Sequence, residues 1–309
     1  MNANEPPLEK RMASTHLPED LKSFAGFIQA NAPLAPFTQL KIGGPAELLV
    51  VPNALDELIS FVKVCFAKNL RFRILGSGGN VLIHDDGVKG IVLRLAGAAF
   101  TNVALEGRRL KAGCGATLSA VIAKAAHAGL TGLEPLVGLP GTIGGALLLN
   151  AGDRTSDIGQ FVRRVEVLDN QAAVQMREHD ELRFMSTGAV LDDPLLLSAE
   201  FELDADGADS IVKRLRKAWI QFKATQPFSY QAATRLFKNP PGLNAGVLIE
   251  QTGLVGTKVG AAAISERNPN YVVAEPGATA RDVLRLIDLV RTRVLDRFHV
   301  ELELALSVW

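Results

Sequence analysis

The chain has 309 residues, with 33 basic and 33 acidic side chains and a formal net charge of zero. Its 48% apolar and 21% charged composition excludes a disordered or fibrous chain, and its length predicts two domains or one large one. Without net charge there is no global field toward nucleic acid or an anionic membrane, so recognition falls to a local site.

Residues 1–19 are polar, contain Pro6 and Pro7, and read as a disordered tail without a hydrophobic signal core. No apolar run approaches the ~20 residues that span a bilayer, so the expected location is the cytoplasm. A helix is predicted over 21–32, with Asp20 as its cap. A strand at 47–52 follows the turn Ile42-Gly43-Gly44-Pro45. The helix expected at 55–68 sets Leu58, Ile59, Val62 and Cys65 near i, i+3, i+4, i+7 spacing. Strands at 72–75 and 81–84 flank a glycine loop, and strands at 91–95 and 109–113 precede a helix at 118–127. Residues 132–152 are dense in glycine, and 162–168, 173–177 and 195–203 read as antiparallel strands. The acidic stretch 204–209 reads as a linker, followed by a helix at 211–225 whose basic residues form a solvated face. Short apolar elements at 247–251, 261–265 and 271–273 lead to a long helix at 279–298 and a final strand at 300–308. Strands and helices alternate without a repeat, which gives an α+β or mixed α/β reading. Cys65 and Cys114, each in an apolar run, read as buried free thiols, and the five histidines lack the spacing of a metal site.

The glycines carry the functional signal. In Gly76-Ser77-Gly78-Gly79-Asn80, three glycines between two strands let backbone N–H groups converge into a nest for phosphate oxygens. The loop is neither a Rossmann fingerprint nor a P-loop, and taken alone it reads first as a hairpin turn. A second cluster, Gly138-Leu139-Pro140-Gly141-Thr142-Ile143-Gly144-Gly145-Ala146, suggests close backbone approach to a large flat ligand, or tight helix–sheet packing. Together with Gly43-Gly44, the clusters point to a nucleotide-type cofactor.

In this order the clusters resemble the UDP-N-acetylenolpyruvoylglucosamine reductase family of cell-wall flavoenzymes. The matching stretches are 41–46, 75–82 and 132–146, and in the second half 225–227, 237–240, 245–246, 248–251, 253–254, 265–266, 270–273 and 278–283. The resemblance implies an FAD-binding domain of the vanillyl-alcohol-oxidase (PCMH) type in two subdomains over 20–206. A C-terminal α/β substrate domain follows over 207–309. It also implies NADPH as electron donor, a nucleotide-sugar substrate in peptidoglycan precursor synthesis, and a monomer. Carried over by position, Gly76, Ser77, Gly78, Gly79 and Asn80 meet the FAD pyrophosphate, and Val81, Gly115 and Pro140 are also cofactor-binding. Gly141, Thr142, Gly144, Gly145 and Ala146 line the flavin, with Ile42 and Gly43 nearby, and Lys238, Asn239 and Glu250 fall in substrate-side motifs. Gly79 stands where the family usually has serine.

The three positions that carry the family's reduction do not match. Its Tyr-Arg-x-Ser motif falls on Arg183-Phe184-Met185-Ser186, so the arginine slot is Phe184 and Arg183, one residue away on a strand, faces the other side. Its Gly-Ser before Phe237-Lys238-Asn239-Pro240 reads Thr234-Arg235, and a guanidinium with a pKa above ~12 is a very poor acid. Its C-terminal glutamate slot is Ala305, with Glu303 two residues earlier. Four readings follow: a flavoprotein impaired or divergent in the family reaction; a working reductase that uses Glu303, Arg183 or another donor; a flavin oxidoreductase for another small acid held by Arg235; and a non-catalytic flavin-binding protein.

Overall fold

A computed structural model describes residues 17–152, 156–185, 188–190, 192–227 and 232–309, so of the tail expected at 1–19, residues 1–16 lie outside the described residues and Glu19 already opens a 3-10 helix. The first sheet has the order Ile28–Pro33, Pro45–Val50, Val88–Leu93, Phe72–Ile74. Its first pair is antiparallel and the other two are parallel. Helix Leu55–Ala67 buries Leu58, Phe61, Val62 and Cys65 against the core that includes this sheet. The second sheet is antiparallel, in the order Val174–Glu178, Val162–Leu168, Leu195–Glu202, Arg109–Gly113, Val103–Glu106. One apolar core runs through both sheets, from Leu48 and Leu93 to Val165 and Phe201. Both cysteines are free and buried, and burial pushes the Cys65 thiol up to about 11.

The expected division at 206/207 falls just before helix Ala208–Thr225, which packs on the first body. Ile211 is fully buried there, and Arg214 donates to Glu134 at 2.9 Å and to Asp206 at 2.7 Å. The second body is an antiparallel sheet, Ala232–Arg235, Tyr271–Ala274, Ala262–Ile264, Lys258–Val259. Helix Ala280–Phe298 buries Val283, Leu286, Ile287, Val290 and Val294, one stripe of its surface, in a separate core with Phe237 and Ile249. Each such side chain contributes roughly 1.5–3 kcal/mol by leaving water.

Leu40 and Leu82 pack into the second core, and hydrogen bonds also join the two bodies. Asp85 caps the N-terminus of helix Ala280–Phe298, accepting from Ala280 N at 2.8 Å and Arg281 N at 3.1 Å. Ser307–Val308 runs parallel to Val81–Leu82. Thr234 Oγ1 donates to the Gly79 carbonyl at 2.7 Å. The groove described below lies at this junction.

The structure differs from the sequence reading at both ends of the described chain. The helix predicted at 21–32 is a 3-10 helix, Glu19–Phe27, followed by strand Ile28–Pro33. Leu21, Phe24 and Phe27 have helical spacing, but pairing with Pro45–Val50 claims the backbone from Ile28 onward. Asp20 lies inside the first turn and pairs with Lys68 at 2.8 Å instead of capping. The strand predicted at 300–308 shrinks to Ser307–Val308, because His299 turns the chain in a left-handed conformation and the next residues bond to 236–238. Within the second glycine cluster, Ile143–Leu148 is a helix capped by Thr142. Among the described residues no helix is long and apolar enough to cross a membrane.

Candidate functional site

The two large glycine clusters meet in one groove of about 460 Å³ between the bodies. Gly76, Ser77, Gly78, Gly79, Asn80 and Val81 form one wall, and Pro140, Gly141, Thr142, Gly145 and Ala146 the next. Ala233, Thr234, Arg235 and Tyr271 of the second body supply the opposite side, while Phe222 packs on Gly138 and Trp309 lies beside Leu82. A smaller cavity of about 120 Å³ adjoins it, carrying Arg94, Cys114, Gly115 and Gly144 and sharing Gly76, Thr142 and Gly145.

The glycines divide into two kinds. At Gly76 a methyl group would stand 2.6 Å from Thr142 Oγ1; at Gly78, with φ of +64°, it would run into the Phe37 carbonyl. At Gly115 it would run into the Leu95 carbonyl. Backbone packing alone requires Gly78 and Gly115, and at Gly76 the Thr142 hydroxyl would have to move. At Gly141 a methyl would meet nothing within 4 Å, and at Gly79 and Gly145 only atoms at 3.7 and 3.6 Å. Protein contacts do not require those glycines; their bare backbone keeps the groove wall approachable. Leu148 and Leu149, 47% and 49% exposed, add an apolar surface beside them. A backbone nest next to an apolar wall fits a dinucleotide that carries a flat ring system.

The opposite wall is polar and cationic. Arg235 is exposed, donates through Nε to the Phe237 carbonyl at 3.0 Å, and lies directly across the ladder from Tyr271. Burial pushes the Tyr271 phenol up, while the Arg235 charge pulls it the other way. Thr234 is committed to Gly79. Among the described residues that line the main groove there is no Asp, Glu, His, Cys or Lys. The smaller cavity holds Asp193, which is taken by Arg177, and Cys114, whose thiol burial raises far above its usual value.

Several candidate residues lie elsewhere. The Glu303 carboxylate is 73% exposed and paired with Lys238, and its carbonyl accepts from Lys238 N at 2.9 Å. Ala305 N donates to the Leu236 carbonyl at 2.8 Å, beside Arg235 in sequence. Asn239 Oδ1 accepts from Ala245 N at 3.1 Å, anchoring a turn, and Glu250 is exposed on helix Ala245–Gln251. Arg183 is exposed in a cleft with Asp192 and Asp193, whereas Phe184 packs over Gly159; Ser186 lies outside the described residues. Ile42 and Gly43 do not line the groove: Gly43, at φ +118°, packs on Ile83, and the Ile42 carbonyl accepts from Thr38. Sequence reasoning missed Arg94, Leu148, Leu149, Phe222, Tyr271 and Trp309 as lining residues. Arg94, Phe222 and Trp309 are lone side chains brought in by the fold, whereas Leu148 and Leu149 closely follow the second glycine cluster and Tyr271 lies in the matching stretch 270–273.

The description "UDP-N-acetylenolpyruvoylglucosamine reductase, C-terminal domain" matches residues 226–309, and "FAD binding domain" matches 46–175. A UDP-N-acetylenolpyruvoylglucosamine reductase of Caldanaerobacter subterraneus is 36% identical over 279 residues, 90% of this chain and 92% of that protein. That of Bacillus subtilis is 32% identical, over 92% of this chain and 94% of its own. The chain belongs to the UDP-N-acetylenolpyruvoylglucosamine reductase family. A crystal structure of the reductase from Thermus caldophilus superposes with a TM-score of 0.79 at 34% identity, covering 92% of this chain and all of that one. The first body, with its two sheets, is thus the two-subdomain FAD-binding domain of the PCMH type, and the second body is the reductase family's C-terminal α/β domain. The family's C-terminal match begins at 226, after helix Ala208–Thr225, which agrees with the packing of that helix on the first core.

Proposed function

We propose that the groove binds FAD and that this monomeric, cytoplasmic flavoprotein is impaired or redirected in the family's reduction of UDP-N-acetylglucosamine enolpyruvate by NADPH. The observation that carries this reading is the side-chain content of the groove: Arg235 and no carboxylic acid among the described lining residues. FAD, when bound, supplies hydride transfer between NADPH and the enolpyruvyl double bond. The chain's own part is to hold the ring system against Leu148 and Leu149, to receive the diphosphate on the glycine nest, and to deliver a proton to the substrate. Arg235 does the last of these badly, because its guanidinium does not release a proton near neutral pH. It is instead an anion holder, placed to grip a carboxylate or phosphate. That favours a second reading: a flavin oxidoreductase acting on another small acidic substrate.

The test begins with the visible absorption of the purified protein before and after anaerobic NADPH. A flavin band that bleaches supports cofactor binding and redox competence, and a colourless protein that takes up no FAD ends the proposal. NADPH oxidation is then followed with and without the enolpyruvyl sugar. A substrate-dependent rate like that of the family's working members would overturn the impairment, and the proton donor would then have to be sought among the groove hydroxyls.

A further inference from the structure

Arg94 follows strand Val88–Leu93 and lines the smaller cavity, which Gly76 and Gly145 also line. Its backbone is fixed, since Arg94 N donates to the Val50 carbonyl at 2.9 Å, so the side chain starts from a rigid point. The guanidinium carbon sits 3.9 Å from the centre of the Phe37 ring. No carboxylate pairs with it among the described residues, and its Nε is buried without a hydrogen-bond partner. Asp193, which shares the cavity, is held by Arg177 through two hydrogen bonds of 3.0 and 2.8 Å.

An unpaired, half-buried cation is costly, and an aromatic face returns only part of that cost. Burial accordingly draws the Arg94 pKa below the usual arginine value. A planar guanidinium with unused donors is a receptor for an anion that offers two oxygens. The position says which anion. The main groove and the smaller cavity share a wall that includes Gly76, Thr142 and Gly145. A two-ended ligand occupying both must carry its linking group across that wall. Phe37, which Arg94 covers, is also the residue whose carbonyl abuts Gly78 of the nest.

We propose that Arg94 binds the diphosphate of a dinucleotide, as the cationic partner of the glycine nest. This rests on the reading of the groove as a flavin site and adds to it a charged residue specific for the linking phosphates. The test uses the full chain stripped of flavin, as wild type, Arg94→Lys and Arg94→Met. FAD and riboflavin are titrated by flavin fluorescence and ADP by calorimetry. Loss of a charge-assisted pair predicts that Arg94→Met weakens FAD and ADP by ~10–100-fold, with Arg94→Lys between. Riboflavin, which has no phosphate, stays within about twofold, and the stripped Arg94→Met protein melts no lower than wild type, because an unpaired buried cation has been removed. FAD affinity unchanged within about twofold, or riboflavin weakened as much as FAD, overturns the role of Arg94. A lower melting temperature of the stripped Arg94→Met protein also overturns it, by assigning Arg94 to packing. A wild-type chain that binds no FAD overturns the flavin reading itself and this proposal with it.

Discussion

Two walls face each other across the groove, and they are made of different material. The wall of residues 76–80 and 141–146 is backbone, shaped by where side chains are missing. The wall of residues 233–235 and 271 is side chain, carried on a sheet whose core lies behind it. A backbone wall changes only by breaking its loop or filling its space. A side-chain wall changes by substitution of an exposed residue such as Arg235, at the small cost of its bond to the Phe237 carbonyl. Cofactor cradle and reaction chemistry are therefore separable in this architecture. A cradle of this kind can persist whatever side chains the facing wall carries.

The comparison breaks first at Gly78. A methyl there meets the Phe37 carbonyl and a backbone already at φ +64°, so Gly78→Ala is expected to cost at least ~3–4 kcal/mol and to lose much of the folded protein in a thermal melt. A Gly78→Ala protein as stable as wild type would remove the distinction between the two kinds of glycine. The opposite wall predicts an effect on chemistry with little on folding. Arg235→Ser exchanges an anion holder for a hydroxyl and is expected to raise turnover of the enolpyruvyl sugar by ~10²-fold, with melting little changed. Unaltered turnover in steady-state NADPH oxidation would mean that Arg235 is not what limits the reaction.

Gly141→Ala sharpens the contrast within the glycine wall. The new methyl meets no protein atom within 4 Å, so stability should hold or rise by ~0.4–1 kcal/mol as the unfolded chain loses freedom. Flavin affinity should nonetheless fall by about tenfold, as the methyl intrudes on the ligand's side. Equal flavin affinity in a fluorescence titration would show that Gly141 does not face the cofactor. Thr234→Val tests the tie between the walls. It leaves the Gly79 carbonyl without its 2.7 Å donor and should cost ~1–2 kcal/mol, visible as a modest drop in melting temperature.

Legibility in the sequence follows the same division. Helix 118–127 and strands 109–113 and 162–168 were readable because local period and burial agree there. The nest was readable because glycine spacing is itself a local signal. Strand Ile28–Pro33 was not, since apolar spacing alone does not register a partner strand elsewhere in the chain. Arg94, Phe222 and Trp309 reach the site from three distant segments, and no short window contains that convergence. Helix Ile143–Leu148 was hidden by its glycines, although Thr142 is an ordinary cap for it.

The smallest expected effect concerns Glu303, the carboxylate nearest in sequence to the family's acid position. Were the segment 300–308 a regular strand, a two-residue shift would keep Glu303 on the face of Ala305. The structure instead turns the chain at His299 and lays Glu303 against Lys238, where its carbonyl takes the Lys238 N–H and its carboxylate the ammonium group. At 73% side-chain exposure that pair is screened by water and contributes at most ~1 kcal/mol. Glu303→Gln should therefore leave flavin binding and turnover within about twofold of wild type and shift melting very little. A collapse of turnover in Glu303→Gln, with the flavin spectrum intact, would bring this carboxylate back into the reaction. It would also require the C-terminal segment to shift toward the groove when substrate binds.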